Sequence, residues 1–215
     1  MNDPKRITQQ EAQRAFYIDF EGFVDQSPAL LGILVEDEFE QVALQQSLKS
    51  AADFKGMRTM TLQEILNELR GRCLHEKRHL VAFSMHEFEV AQKHAQIDLS
   101  PFYKNALKIA KRWKRRMGLD PRHQIRTLKD YLAWLQYPLP RHLGNQVATR
   151  RLADVIAMSE RRGSFDACTP VVKAKWTKLL QYNKYDCEGT KFLTTLTTKQ
   201  LSPEALRALR DSSPR

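Results

Sequence analysis

Apolar and polar residues alternate along Phe16-Tyr17-Ile18-Asp19-Phe20-Glu21, the period-two pattern of a strand with two unlike faces. Phe16, Ile18 and Phe20 point to one side, while Asp19 and Glu21 share the other. Two more apolar runs follow at 29–35 and 39–44, separated by Glu36-Asp37-Glu38. They predict an antiparallel hairpin and hence a three-stranded start to the sheet. Helical spacing takes over at Leu62, Ile65, Leu66 and Leu69, with Thr61 and Glu64 placed to form a capping box. A short strand is predicted at 80–83, and Phe88, Ala91 and Ala95 predict a helix to about Gln96. Residues 101–117 read as one helix with Leu107, Ala110, Trp113 and Met117 on its apolar face.

The rest of the chain is helical in pattern. Thr127 caps a short helix at 128–135 that Pro138 and Pro140 end, and another spans 150–162 up to the Gly163-Ser164 break. Thr169-Pro170 opens a long segment with Val172, Trp176, Leu179, Leu180, Phe192, Leu193 and Leu196 as its apolar positions. Helices following and flanking a hairpin sheet define an α/β fold with a mixed sheet. Residues 1–15 are polar and read as a tail or frayed helix, 16–198 as the folded domain. Ser202-Pro203 starts a last short helix to about Arg210, followed by a disordered tail in the 199–215 segment.

Charge changes the picture. Against 25 acids the 215-residue chain sets 35 Lys and Arg, a formal charge of +10. Such a surplus points to an anionic partner, most often nucleic acid or a membrane surface, with a simply solvated basic protein as the plainer reading. The basic residues concentrate at Lys104, Lys108, Lys111, Arg112 and Arg115, a stripe down the helix read at 101–117. That stripe is either a solvated face or a track for a phosphate backbone. A hydrophobic fraction of 42% suits a folded domain. Three scattered cysteines, with no Cys-x-x-Cys pair, fit a reducing compartment and exclude the common zinc signatures. His86-Glu87 likewise lacks a second histidine four residues after the first. No apolar run reaches eighteen residues and no charged-then-apolar leader is present, so the expectation is a soluble, cytoplasmic chain without a membrane partner.

Asp19 and Glu21 side by side on a strand repel unless a cation lies between them, so the triplet reads as half of a metal site. Tyr182 and Asp186 stand four apart in the long helical segment and share a face. Glu87 follows the end of an apolar strand, where sheet enzymes tend to place functional side chains. Each has a plainer reading: an exposed edge strand, a surface aspartate, an acid favoured at a helix N-terminus.

In this order the motifs resemble the DEDD exonucleases, and more narrowly their ribonuclease H-like relatives whose last motif runs Tyr-Asn-x-x-Asp-Cys. The residues that carry the likeness are Asp19-Phe20-Glu21 on a first strand, an acid after the fourth, and Tyr182-Asn183-Lys184-Tyr185-Asp186-Cys187. Lys104-Asn105-Ala106-Leu107-Lys108-Ile109-Ala110 stands where that family often has Asp-Thr-Leu-x-Leu-Ala, and Thr127-Leu128-Lys129-Asp130-Tyr131-Leu132 resembles its Ser-Leu-Lys-x-Leu helix. The likeness spans about residues 15–198. It departs at the second motif, usually Asp, which here reads Phe83-Ser84-Met85-His86-Glu87-Phe88-Glu89. Glu87 is preferred over Glu89 because it is nearer the strand end.

The resemblance implies a ribonuclease H-like fold and a 3′–5′ exonuclease hydrolysing phosphodiester bonds of DNA or RNA at a single strand or 3′ end. It implies two Mg²⁺ or Mn²⁺ ions, about 4 Å apart in such sites, held by Asp19, Glu21, Glu87 and Asp186. Tyr182 would orient or deprotonate the attacking water, and His86 would touch the phosphate or merely pack. Competing readings are a ribonuclease H-like nucleic-acid-binding module with a dead metal site, an interaction subunit docking an acidic protein through its basic helix, and an endonuclease.

Overall fold

A computed structural model describes residues 3–23, 25, 27–118, 125–138, 140, 148–199 and 204. Its centre is a six-stranded mixed sheet in the order β4-β3-β2-β1-β5-β6. Strands β1 (Phe16–Gly22), β2 (Pro28–Val35) and β3 (Glu38–Ala43) form the expected antiparallel start. Their turn is Glu36-Asp37, with Glu36 in the left-handed region at φ 52°. Strand β4 (Arg58–Thr59) then pairs parallel to β3, β5 (Leu80–Ala82) parallel to β1, and β6 (Tyr103–Asn105) parallel to β5.

Strand alternation sorts the two faces. Phe16, Ile18 and Phe20 of β1, with Leu31 and Ile33 of β2, pack with Ile65, Leu66 and Leu69. Those last residues lie on the helix Leu62–Glu76, capped by Thr61 and Glu64 as the pattern predicts. The other face of β1 presents Tyr17, Asp19 and Glu21 to the helical layer formed later in the chain.

Numbered in chain order, the helices begin with α1 (Gln9–Arg14), α2 (Lys49–Asp53), α3 (Leu62–Glu76) and α4 (His86–Val90). A π-helical turn, Ala91–Ala95, extends α4, and Gln96 ends it in the left-handed region at φ 56°. Then come α5 (Ala106–Arg116), α6 (Leu128–Trp134), α7 (Ala148–Arg162) and α8 (Pro170–Thr198). Gly163, at φ 77°, ends α7 in a conformation that a β-carbon disfavours. The long helix α8 carries Trp176 and Leu179 against α7 and the sheet, and Tyr185, Leu193 and Leu196 against α5 and α6.

Three expectations change. The polar N-terminal stretch contains a capped helix, α1, whose Ala12 is fully buried and whose Ala12 carbonyl accepts the Tyr17 hydroxyl at 2.6 Å. The helix read at 101–117 starts only at Ala106, because Tyr103–Asn105 adds a strand beside β5 and the Asn105 side chain caps the helix at Lys108 N, 2.8 Å away. Lys104 is therefore not on the basic stripe: it sits in β6, 5% exposed, with its ammonium donating to the Asp3 carbonyl at 3.0 Å. The C-terminal helix and tail expected at 199–215 lie outside the described residues, apart from Lys199 and Glu204. Among the described residues no helix is long and apolar enough to cross a membrane.

Candidate metal centre

Three carboxylates converge where β1 meets α8. Asp19, Glu21 and Asp186 each offer an oxygen, and these atoms lie within 4.8 Å of one another. Strand alternation puts the first two on one face of β1, and α8 crosses that face to bring in the third. Tyr182, one helical turn before Asp186, faces the same charges.

Burial raises the proton affinity of every member, and repulsion from neighbouring acids adds to it at Glu21 and Asp186. Burial pushes Asp19 up to about 7, and the hydrogen bond from Asn183 opposes the shift. Glu21 is pushed well above the usual carboxylate range by burial and then by the charges of Asp19 and Asp186, while Arg151 on α7 pulls the other way. Asp186 is raised well above its usual value by burial and by Asp19, against a hydrogen bond from the Tyr182 phenol. Tyr182 is itself raised by burial and by the surrounding acids, so it stays a phenol and a donor. A cluster of half-buried acids that hold their protons this tightly is short of positive charge even with Arg151 beside Glu21. The donor set, oxygen only and carboxylate only, fits a hard divalent cation.

The structure adds a positioning device beside Asp19. Asp19, Gly32 and Gln41 face one another across β1, β2 and β3. Gly32 leaves the middle of this row empty, and the Asn183 amide fills it. Its nitrogen donates to Asp19 Oδ2 at 2.9 Å and to the Asp19 carbonyl at 3.0 Å, while its oxygen accepts from Gln41 Nε2 at 2.8 Å. A β-carbon at Gly32 would lie 2.3 Å from Asn183 Oδ1 and 2.9 Å from its Cγ. Gly32→Ala is therefore expected to destabilise the fold by about 1–3 kcal/mol through overpacking. Urea denaturation checks this, with Asn183→Ala as the second arm of a double-mutant cycle. An equal loss in both backgrounds would show that Asn183 is not the obstacle.

Glu87 lies close by but outside this trio. It is 5% exposed, its proton affinity is pushed up to about 8 by burial and the Asp19 charge, and Ser84 Oγ donates to its Oε2 at 3.5 Å. Carried by the short helix α4 rather than by the sheet, it faces Asp19 and Asp186 without joining the 4.8 Å cluster. Glu89 is exposed, and so is His86, which lines a groove with Glu89 and His94. Of the two glutamates, Glu87 is the one facing the acids. Lys111 and Arg115 stand exposed on α5, with Lys108 and Arg112 partly exposed.

Sequence reasoning passed over Asn183, Gln41 and Arg151. Asn183 had a signal in its position three residues before Asp186, which shares its helix face. Arg151 had none, being one cation among many. Comparison with protein-family models, with curated proteins and with solved structures finds no match for the chain.

Proposed function

We propose that this protein is a metal-dependent nuclease of ribonuclease H-like architecture, acting as a 3′–5′ exonuclease on DNA or RNA. The observation that carries the reading is the meeting of Asp19, Glu21 and Asp186, from distant parts of the chain, within one half-buried 4.8 Å cluster. The antiparallel three-strand start followed by two parallel strands on the β1 side supports it, as does the +10 charge.

Asp19, Glu21 and Asp186 would hold the divalent ion, with Glu87 placed to reach a second. Bound there, Mg²⁺ or Mn²⁺ supplies Lewis acidity and a nucleophilic water at neutral pH. The chain's own groups do the positioning. Asn183 fixes the Asp19 carboxylate by holding its Oδ2. Tyr182, kept protonated, donates a hydrogen bond into the site and orients the attacking oxygen. Arg151, whose charge acts on Glu21, would offer a guanidinium to a phosphate oxygen. The exposed Lys111 and Arg115 hold the strand by its backbone, with an affinity that falls as salt rises.

The test is incubation of 3′- and 5′-labelled DNA and RNA with Mg²⁺ or Mn²⁺, with EDTA as control. Stepwise shortening from the 3′ end with release of mononucleotides is expected. Internal fragments would move the reading to an endonuclease. Salt-sensitive strand binding with no cleavage in any metal would leave a nucleic-acid-binding module in its place.

A further inference from the structure

At the opposite end of the strands from the carboxylates is a cavity of about 650 Å³. It lies where β5 begins, at His79, whereas the acids stand near the end of β1, which runs parallel to β5. Five cations line it: Lys5 and Arg6 from the N-terminal segment, Lys104 from β6, and Arg112 and Arg116 from successive turns of α5. Among the described residues two acids, Asp3 and Glu11, answer them.

Both acids are already committed. Asp3 Oδ1 accepts the Lys5 backbone N–H at 2.9 Å, and its Oδ2 meets Arg6 Nε at 3.2 Å and Arg112 Nη1 at 4.0 Å. Glu11 Oε2 accepts the Thr8 N–H at 2.7 Å as part of the α1 cap, and its Oε1 faces His79 Nε2 at 3.1 Å. Lys104 is left buried with a carbonyl as its hydrogen-bond partner and, among the described residues, no carboxylate within ion-pair distance. Neither Lys5 nor Arg116 has an ion pair among the described residues. A buried ammonium with no carboxylate in direct contact, only Glu11 and Asp3 acting from further off, is costly, and an anion entering the cavity would offset that cost.

We propose that this cavity binds the phosphomonoester dianion of a ligand the size of a nucleoside monophosphate. Its two negative charges, spread over three acceptor oxygens, offset two of the three surplus cations, and the guanidinium forks of Arg112 and Arg116 suit phosphate geometry. The volume exceeds what bare phosphate needs, and Ile7, Ile109 and Pro101 offer an apolar wall for the rest of the ligand. The dianion comes either from a free nucleotide or from the 5′-phosphorylated end of a strand.

Calorimetric titration of the full chain in EDTA, at constant ionic strength, tests the site without any contribution from metal-dependent chemistry. A nucleoside 5′-monophosphate is expected to bind saturably at one site and the matching nucleoside not at all. Lys104→Met and, because that residue is buried, the exposed Arg116→Ala should each weaken binding about tenfold, and Lys49→Ala should leave it unchanged. A 5′-phosphorylated oligonucleotide that displaces the monophosphate, where its 5′-hydroxyl twin does not, identifies the strand end as the source. No displacement by either identifies the free nucleotide. Absence of binding, or weak binding matched by sulfate and unaffected by Arg116→Ala, overturns the proposal. Because no hydrolysis is measured, that failure is distinct from failure of the nuclease reading.

Discussion

Asp19→Asn is expected to lower metal-dependent hydrolysis by about 10²–10³-fold or more, the scale for losing one preorganised electrostatic group. The same substitution should make the metal-free protein more stable at pH 8. Asp19 lies within 4.8 Å of two other carboxylates and raises the proton affinity of both, so removing its charge relieves repulsion. The substituted amide keeps an oxygen to accept from Asn183 Nδ2, now 2.9 Å from Asp19 Oδ2. A gain of about 1 kcal/mol corresponds to roughly 2–4 °C in Tm for a chain of this size. Activity lost together with stability would mean that Asp19 only supports the fold. Activity retained would remove the residue, and the cluster with it, from the reaction. The opposite signs of the two effects identify a site where function is bought with stability.

Part of this was legible along the chain because it is local. The alternation at 16–21, the Thr61–Glu64 capping box and the Thr169-Pro170 helix start each depend on residues a few positions apart, and each stands in the structure. Strands β4 and β6 were not legible. They are two and three residues long, and they exist because β3 and β5 offer a free edge, not because their own pattern alternates over a useful length. Lys104 was misread for the same reason: beside Lys108 and Lys111 its spacing looks helical until Asn105 is seen to cap α5.

The site divides the same way. Asp19 and Glu21 follow from strand alternation and the Tyr182–Asp186 pair from helix spacing, so their shared faces were readable. That α8 lies across β1 and not elsewhere was not readable from spacing; the resemblance alone suggested it. Gly32 shows the limit most clearly. In sequence it is a weak point in an apolar strand, and only the register Asp19–Gly32–Gln41 turns it into the seat of Asn183. Glu87 and Glu89, two apart on a short helix, differ in burial, which depends on what packs against α4.

Without metal, stability is expected to fall as pH rises from 5 to 8, and Mg²⁺ or Mn²⁺ should reverse the fall at pH 8 while doing little at pH 5. Asp19 moves from 3.8 to about 7 and Glu87 from 4.5 to about 8, with Glu21 and Asp186 shifted in the same direction. Across this window the folded chain binds more protons than the unfolded one, so the slope of stability against pH is negative. Their favourable contribution is whole below the unfolded values and is lost as pH passes through the folded ones. The capping carboxylates Glu64 and Asp130, and Asp98, are shifted the other way by backbone N–H donors. They titrate below pH 5 and do not mask the slope. A cation at 100 times its dissociation constant adds about 2.7 kcal/mol, or roughly 5–10 °C for a domain of this size. Because it binds the deprotonated acids, its effect grows with pH. Thermal melts at pH 5 and 8, in EDTA and in excess Mg²⁺, check both signs. Asp19→Asn should flatten the slope and blunt the metal response together. A metal shift of equal size at both pH values would place the ion away from these carboxylates, because only groups that titrate between pH 5 and 8 can make cation binding differ across that range.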